Sequence, residues 1–302
     1  MYDIIVVGAG PAGLTSAIYA RRSSKKVLVL EAKSYGGQII NTIDIENYPA
    51  APHISGFDFA TNTYNQAKEL GAEIKFEKVI DIKDGKEKEV ITNKSSYKTK
   101  TIIIATGSEN RKLGLDNEDK LVGKGISYCA TCDGAFYKNK IVAVAGGGDA
   151  ALDEAKYLSD IVKKVYLINR NSLFKGEEID FEKLKKKENV EFIFNSKVTK
   201  LISNEKLESI EVTDKDGNIT TIEVDGLFVA VGRIPENQNF AKIIDLDSNG
   251  YVIAKEDCHT NKEGIFVAGD NRVKQLRQLV TATNDGAIAA TEAIKYINKQ
   301  TK

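Results

Sequence analysis

The feature that most constrains this chain is a phrase that occurs twice: an apolar strand runs into a glycine loop, then a helix, then a second apolar strand. Ile4-Ile5-Val6-Val7 leads into Gly8-Ala9-Gly10-Pro11-Ala12-Gly13, a helical stretch from Leu14 to Arg22, and the apolar run Lys26 to Glu31. Ile141 to Ala145 leads into Gly146-Gly147-Gly148-Asp149-Ala150-Ala151, a helix to about Ser159, and the run Lys164 to Asn169. Continuous apolar runs separated by helices read as parallel strands buried on both faces. The expected fold is therefore α/β, with two Rossmann-like doubly wound nucleotide-binding modules. The repeat extends beyond the loops, because Ile102 to Gly107 and Leu227 to Gly232 are each an apolar strand ending in a glycine turn.

The first loop has the spacing G-x-G-x-x-G between strand and helix. There Gly8 allows a tight turn, Gly10 lets a pyrophosphate approach the backbone, and Gly13 packs helix against strand. The helix N-terminus, from Pro11 and Ala12 onward, adds unpaired N–H donors and a partial positive charge. Glu31 closes the second strand, where an acid accepts hydrogen bonds from adenosine ribose hydroxyls. The second loop, Gly146-x-Gly148-x-x-Ala151, has the same form. The strand after it ends in Asn169-Arg170-Asn171-Ser172-Leu173-Phe174-Lys175, with no acid for a free ribose and one arginine and one lysine for a 2′-phosphate. Two readings stay open: a second dinucleotide site, or a retained fold that holds no nucleotide.

Charge and cysteine content exclude other classes. Forty-three basic residues balance forty-three acidic ones, which argues against a polyanion-binding surface. No apolar run approaches the ~20 residues of a membrane span. The opening Tyr2-Asp3-Ile4 lacks the basic region of a signal peptide, and three cysteines in 302 residues do not make a disulfide scaffold. A cytoplasmic protein is expected. The charge run Phe181 to Lys187 reads as a solvated helix face.

Cys129-Ala130-Thr131-Cys132-Asp133 is the remaining chemical feature. Two cysteines three apart can close a small disulfide ring at a helix start, where the helix dipole lowers the thiolate pKa. They can also be half of a zinc site, with Cys258 and His259 as an awkward second half, or two inert thiols. No complete metal site is expected.

From end to end the chain resembles the bacterial-type, low-molecular-weight flavin thioredoxin reductases. The resemblance rests on Gly8 to Gly13, Gly36-Gly37-Gln38, Glu46-Asn47-Tyr48-Pro49, Ala105-Thr106-Gly107, and Gly123 to Tyr128 leading into the cysteine pair. It continues in Gly264 to Asp270 and in Arg277-Gln278. It implies an FAD-binding domain split in sequence, residues 1–113 and 240–302, and an inserted domain, 114–239, that carries the disulfide and resembles an NADPH-binding domain. Gly8, Gly10, Pro11, Ala12, Gly13 and Glu31 would hold the adenosine diphosphate, with Thr106 and Gly107 also on the cofactor. Gln38 and Asn47 would lie near the flavin, Gly269 and Asp270 at the ribityl or pyrophosphate, and Arg277 and Gln278 at the isoalloxazine. Cys132 would face the flavin, Cys129 would attack the thioredoxin disulfide, and Asp133 would move protons. A homodimer is implied.

NADPH-using members carry His-Arg-Arg-x-x-x-Arg after the second loop, and here Asn169, Asn171 and Lys175 depart from it. Asn271-Arg272-Val273-Lys274 also makes the loop after Asp270 basic. This pattern is similar to a branch that takes electrons from reduced ferredoxin. The expected donor is therefore ferredoxin docked on Arg272 and Lys274, with NADPH or NADH as the alternative. Two further alternatives are a flavoprotein serving another disulfide partner, such as a glutaredoxin-like or peroxidase-linked protein, and a flavin sensor without enzymatic activity.

Overall fold

The computed structural model describes residues 1–42, 44–45, 47–51, 53–174 and 178–300. They form two units, Met1–Glu109 with Ile234–Lys302, and Asn110–Arg233. These boundaries fall a few residues before the expected 113/114 and 239/240, and packing explains both offsets. Leu113 lies against the core of the inserted unit, whereas Phe240 is buried in the core of the first.

In the first unit, strands Glu73–Phe76, Val27–Glu31, Tyr2–Val7, Ser96–Ile104 and Ile265–Val267 are parallel neighbours in that order. Ile4 and Val6 point to one face, Ile5 and Val7 to the other, and all four are buried. Each such side chain contributes roughly 1.5–3 kcal/mol, so both faces need a cover. Helices Pro11–Arg22 and Leu279–Gln300 cover the first through Leu14, Ala17, Ala289 and Ala293. The second face is covered by an antiparallel meander, Val79–Lys83, Lys88–Thr92 and the outer part of Ser96–Ile104, together with Phe240, Ile244 and Val252.

The inserted unit repeats this plan. Strands Val190–Ile193, Lys164–Ile168, Ile141–Ala145, Gly226–Val229 and Ile126–Ser127 are parallel. Helices Asp149–Ser159 and Glu178–Lys185 cover one face, through Leu152, Ala155, Leu158 and Leu184. An antiparallel meander, Ser196–Ser203, Leu207–Asp214 and Ile219–Glu223, covers the other through Val198, Leu207 and Ile210. Among the described residues, no helix is long and apolar enough to cross a membrane.

Candidate functional site

In the first unit the expected cofactor residues gather at the carboxyl ends of the parallel strands, where the strand order reverses, with Val27–Glu31 on one side of Tyr2–Val7 and Ser96–Ile104 on the other. That crevice is where open α/β sheets bind ligands. Gly8 has φ +109, and a Cβ there would overlap the Ala105 carbonyl oxygen. A Cβ on Gly13 would overlap the Gly8 carbonyl. Gly10, by contrast, faces open space, with Gly37 Cα 3.9 Å from where its Cβ would be. Pro11 starts the helix with no side-chain cap, which leaves its first N–H groups for an anion.

The Glu31 carboxylate stands beside this loop, accepting the Ala9 N–H at 2.8 Å and the Lys33 N–H at 2.8 Å. A Cβ on Gly269 would stand 3.0 Å from Ala12 Cβ, so the turn bearing Asp270 lies against the loop. Thr106 Oγ1 accepts from Asn271 Nδ2 at 3.1 Å, and Gly107 has φ +69 with open space beside it. Asn47 Nδ2 donates to Gln278 Oε1 at 3.2 Å, which brings those two residues together. Arg277 lies over the Tyr251 ring at 4.2 Å and donates to the carbonyls of Asp270 and Arg272. Gln38 is exposed in the turn Gly37–Asn41, and Glu46 lies outside the described residues. The open cradle at Gly10, the uncapped helix start and the Glu31 carboxylate fit the adenosine diphosphate half of FAD.

In the inserted unit, Cys129 and Cys132 are joined by a disulfide. Both thus lack the thiolates that a zinc half-site would need. The bond lies at the start of a four-residue helix, Ala130–Asp133, which runs on into the 3-10 turn Gly134–Tyr137. A Cβ on Gly134 would come within 2.9 Å of the Tyr157 ring, so glycine lets the turn sit on helix Asp149–Ser159. Burial raises the Asp133 carboxyl above its ordinary range, partly offset by the Ser127 hydroxyl donating to Oδ2 at 2.6 Å. Ser127 Oγ also accepts the Cys129 N–H at 3.1 Å. Ser127 is a site residue that the sequence did not disclose, because its link to Asp133 depends on the fold of the turn.

The second glycine loop keeps its shape. A Cβ on Gly146 would overlap the Ala230 carbonyl and one on Gly147 would overlap Asn169 Oδ1, while Gly148 opens onto empty space. Asn169 is buried; its Nδ2 donates to the Leu173 carbonyl at 2.9 Å and its Oδ1 accepts the Asn171 N–H at 3.1 Å. Arg170 and Asn171 are exposed, and Lys175 lies outside the described residues.

The expected basic docking loop is not a surface. Arg272 is 1% exposed. Its guanidinium donates to Asp285 at 2.8 and 2.9 Å, and Lys274 Nζ donates to the same carboxylate at 2.8 Å. Both cations are buried against a single carboxylate on the C-terminal helix, so neither side chain forms a surface for an acidic partner. Cys258 is buried beside the network, and His259 reaches Glu292 rather than a metal cluster.

Two dinucleotide folds in one chain, the second carrying a disulfide just before the strand that leads into its glycine loop, define a flavin-dependent disulfide oxidoreductase. Residues 2–286 match the pyridine nucleotide-disulphide oxidoreductase family. A thioredoxin reductase of Listeria innocua is 42% identical over 302 residues, 99% of this chain and 95% of that protein. One of Bacillus subtilis is 38% identical over 99% of this chain and 96% of that protein. The crystal structure of thioredoxin reductase from Streptococcus pyogenes matches with a TM-score of 0.93 at 38% identity, covering 99% of both chains. The chain belongs to the bacterial-type thioredoxin reductases, and it is an oxidoreductase that carries FAD.

Proposed function

We propose that this enzyme reduces the disulfide of thioredoxin through the Cys129–Cys132 pair, with electrons that reach the pair from a pyridine nucleotide by way of FAD. The flavin supplies two-electron chemistry between nucleotide and disulfide. The chain's own residues do the rest. Gly10 and the first turn of Pro11–Arg22 would hold the pyrophosphate, Glu31 the ribose, and Arg277 and Gln278 the ring end. Cys132 is the sulfur for the flavin and Cys129 the one that attacks the protein substrate. Asp133, whose carboxyl burial raises above its ordinary value, gives and takes the proton that thiol–disulfide exchange requires.

The observation that carries the choice of donor is the open Gly148 face in an intact second loop, beside relatives of the ordinary thioredoxin reductase type. NADPH is the first candidate. The ferredoxin reading has lost its docking surface, since Arg272 and Lys274 are buried against Asp285. Arg170 is the arginine left at the strand end. A charge-assisted hydrogen bond is worth roughly 1.5–3 kcal/mol, or about 10–150-fold, so discrimination of NADPH from NADH should be weaker than three arginines would give. The working assembly is the homodimer of the family, and the working compartment is the cytoplasm, where thiols are kept reduced.

Stopped-flow flavin bleaching with NADPH, NADH and reduced ferredoxin side by side tests the donor. Saturable bleaching by NADPH, with NADH slower by less than about two decades, is the expected result. Rapid bleaching by ferredoxin with neither nucleotide active would overturn it.

A further inference from the structure

Behind the disulfide turn, helix Asp149–Ser159 carries a carboxyl that the proposed reaction does not use. Glu154 comes three residues after Ala151 and four before Leu158, on one side of the helix, with Ala155 beside it. Those three side chains share one core with Ala130, the residue that follows the first cysteine. The Ala130 N–H faces the Glu154 carboxyl, and Glu154 Oε2 is fully buried with no hydrogen-bond partner. Burial raises this carboxyl to about 7. The Ala130 N–H and Arg233 pull it back down, while Asp133 from the cysteine turn and Asp153 from its own helix push it up. Any new negative charge in the turn adds to that upward push, because like charges in a desolvated site cannot all stay ionised.

We propose that Glu154 is a positioning residue for the redox pair: its carboxyl takes up a proton when the Cys129–Cys132 disulfide is reduced and releases it when the disulfide re-forms. This rests on the reading of that pair as the redox centre. Two electrons break the S–S bond. One sulfur takes a proton and becomes a thiol, and the other stays a thiolate. The second proton, drawn from solvent, goes to Glu154 instead of to that sulfur. Negative charge thus moves from carboxylate to thiolate with no net charge added behind the turn, and the attacking sulfur keeps its nucleophilic form. On reoxidation both protons leave as the electrons pass to the acceptor disulfide.

The test is redox-difference infrared spectroscopy of the FAD-loaded protein at pH 8, with dithiothreitol as reductant and alkylation to confirm that both thiols have formed. Reduction should add a protonated-carboxyl band that persists in Asp133→Asn and is lost in Glu154→Gln. In dithiothreitol redox buffers above about pH 7, the equilibrium constant of the wild-type pair should change by up to an extra factor of ten per pH unit relative to Glu154→Gln. A reduced pair with no new carboxyl band in wild type or Asp133→Asn overturns the proposal, and so do parallel pH dependences in wild type and Glu154→Gln. A pair that dithiothreitol cannot reduce at all instead overturns the redox-centre reading beneath it.

Discussion

Replacing Asp285 with asparagine tests the claim that the Arg272–Lys274 segment is core and not docking surface. The Asp285 carboxylate is 1% exposed and accepts from Arg272 Nε, Arg272 Nη2, Lys274 Nζ and the Gly269 N–H, all at 2.8–2.9 Å. Asparagine keeps the shape but leaves two buried cations without their counter-ion. Breaking a buried ion pair from one side costs about 3–5 kcal/mol. Glu256 also reaches Arg272, at 3.3 Å, but its side chain is 85% exposed, so solvent screens that contact and it recovers little.

With a urea slope near 3 kcal/mol/M, the midpoint for unfolding of the first unit should fall by roughly 1–1.7 M. Release of bound flavin fluorescence reports on that unit. The pH dependence has a definite sign. Burial alone would raise the Asp285 carboxyl, but hydrogen bonds from Arg272 and Lys274 hold it below the ordinary value. Its stabilisation is therefore complete above the ordinary aspartate range and is lost as pH falls through the depressed folded value. Wild type should lose this increment on acidification, whereas Asp285→Asn has none to lose. A midpoint within about 0.2 M of wild type, equivalent to roughly 0.5 kcal/mol, would refute the reasoning.

Two more outcomes follow from the same geometry. Cys258→Ser should keep most of the disulfide-reductase turnover, because burial pushes this thiol up to about 12 and it forms no reactive thiolate at neutral pH; a loss of turnover in a folded, flavin-bound variant would reveal a third functional sulfur. Gly13→Ala should purify with little or no FAD, since the added Cβ would overlap the Gly8 carbonyl and push the helix start off the glycine loop; a full flavin-to-protein absorbance ratio would refute that.

Much of the fold was legible because its signals are local. Ile4 to Val7 and Ile141 to Ala145 are continuous apolar runs, and each glycine loop announces the turn that follows. The cysteine pair lies within a single turn, so its chemistry could be read there as well. What escaped was the partnering of charges across long sequence separations. Arg272 and Lys274 look like surface charge until Asp285, 13 and 11 residues further on, is folded against them. Glu154 looks like the polar side of a helix, yet its Oε2 atom is buried. The meander on one face of each sheet also went unseen, because short strands with mixed patterns are decided by what they cover.

The departures from the NADPH motif show how a positional count can mislead. Asn169, Asn171 and Lys175 all differ from the arginine-rich pattern, but they do not bear equally on a 2′-phosphate. Asn169 is 1% exposed, and both ends of its amide are spent on the Leu173 carbonyl and the Asn171 N–H. It shapes the turn at the end of its strand, and its Oδ1 fills the space beside Gly147. A buried amide held by the loop in this way sets the loop's backbone path and is turned away from a phosphate in solvent. Asn171 is the described departure that faces solvent, so Asn171→Arg is the single change expected to strengthen NADPH binding, by about 10–150-fold for one charge-assisted bond. A tighter NADPH KM with an unchanged NADH KM would place the 2′-phosphate at this strand end. Equal effects on both nucleotides would place it elsewhere.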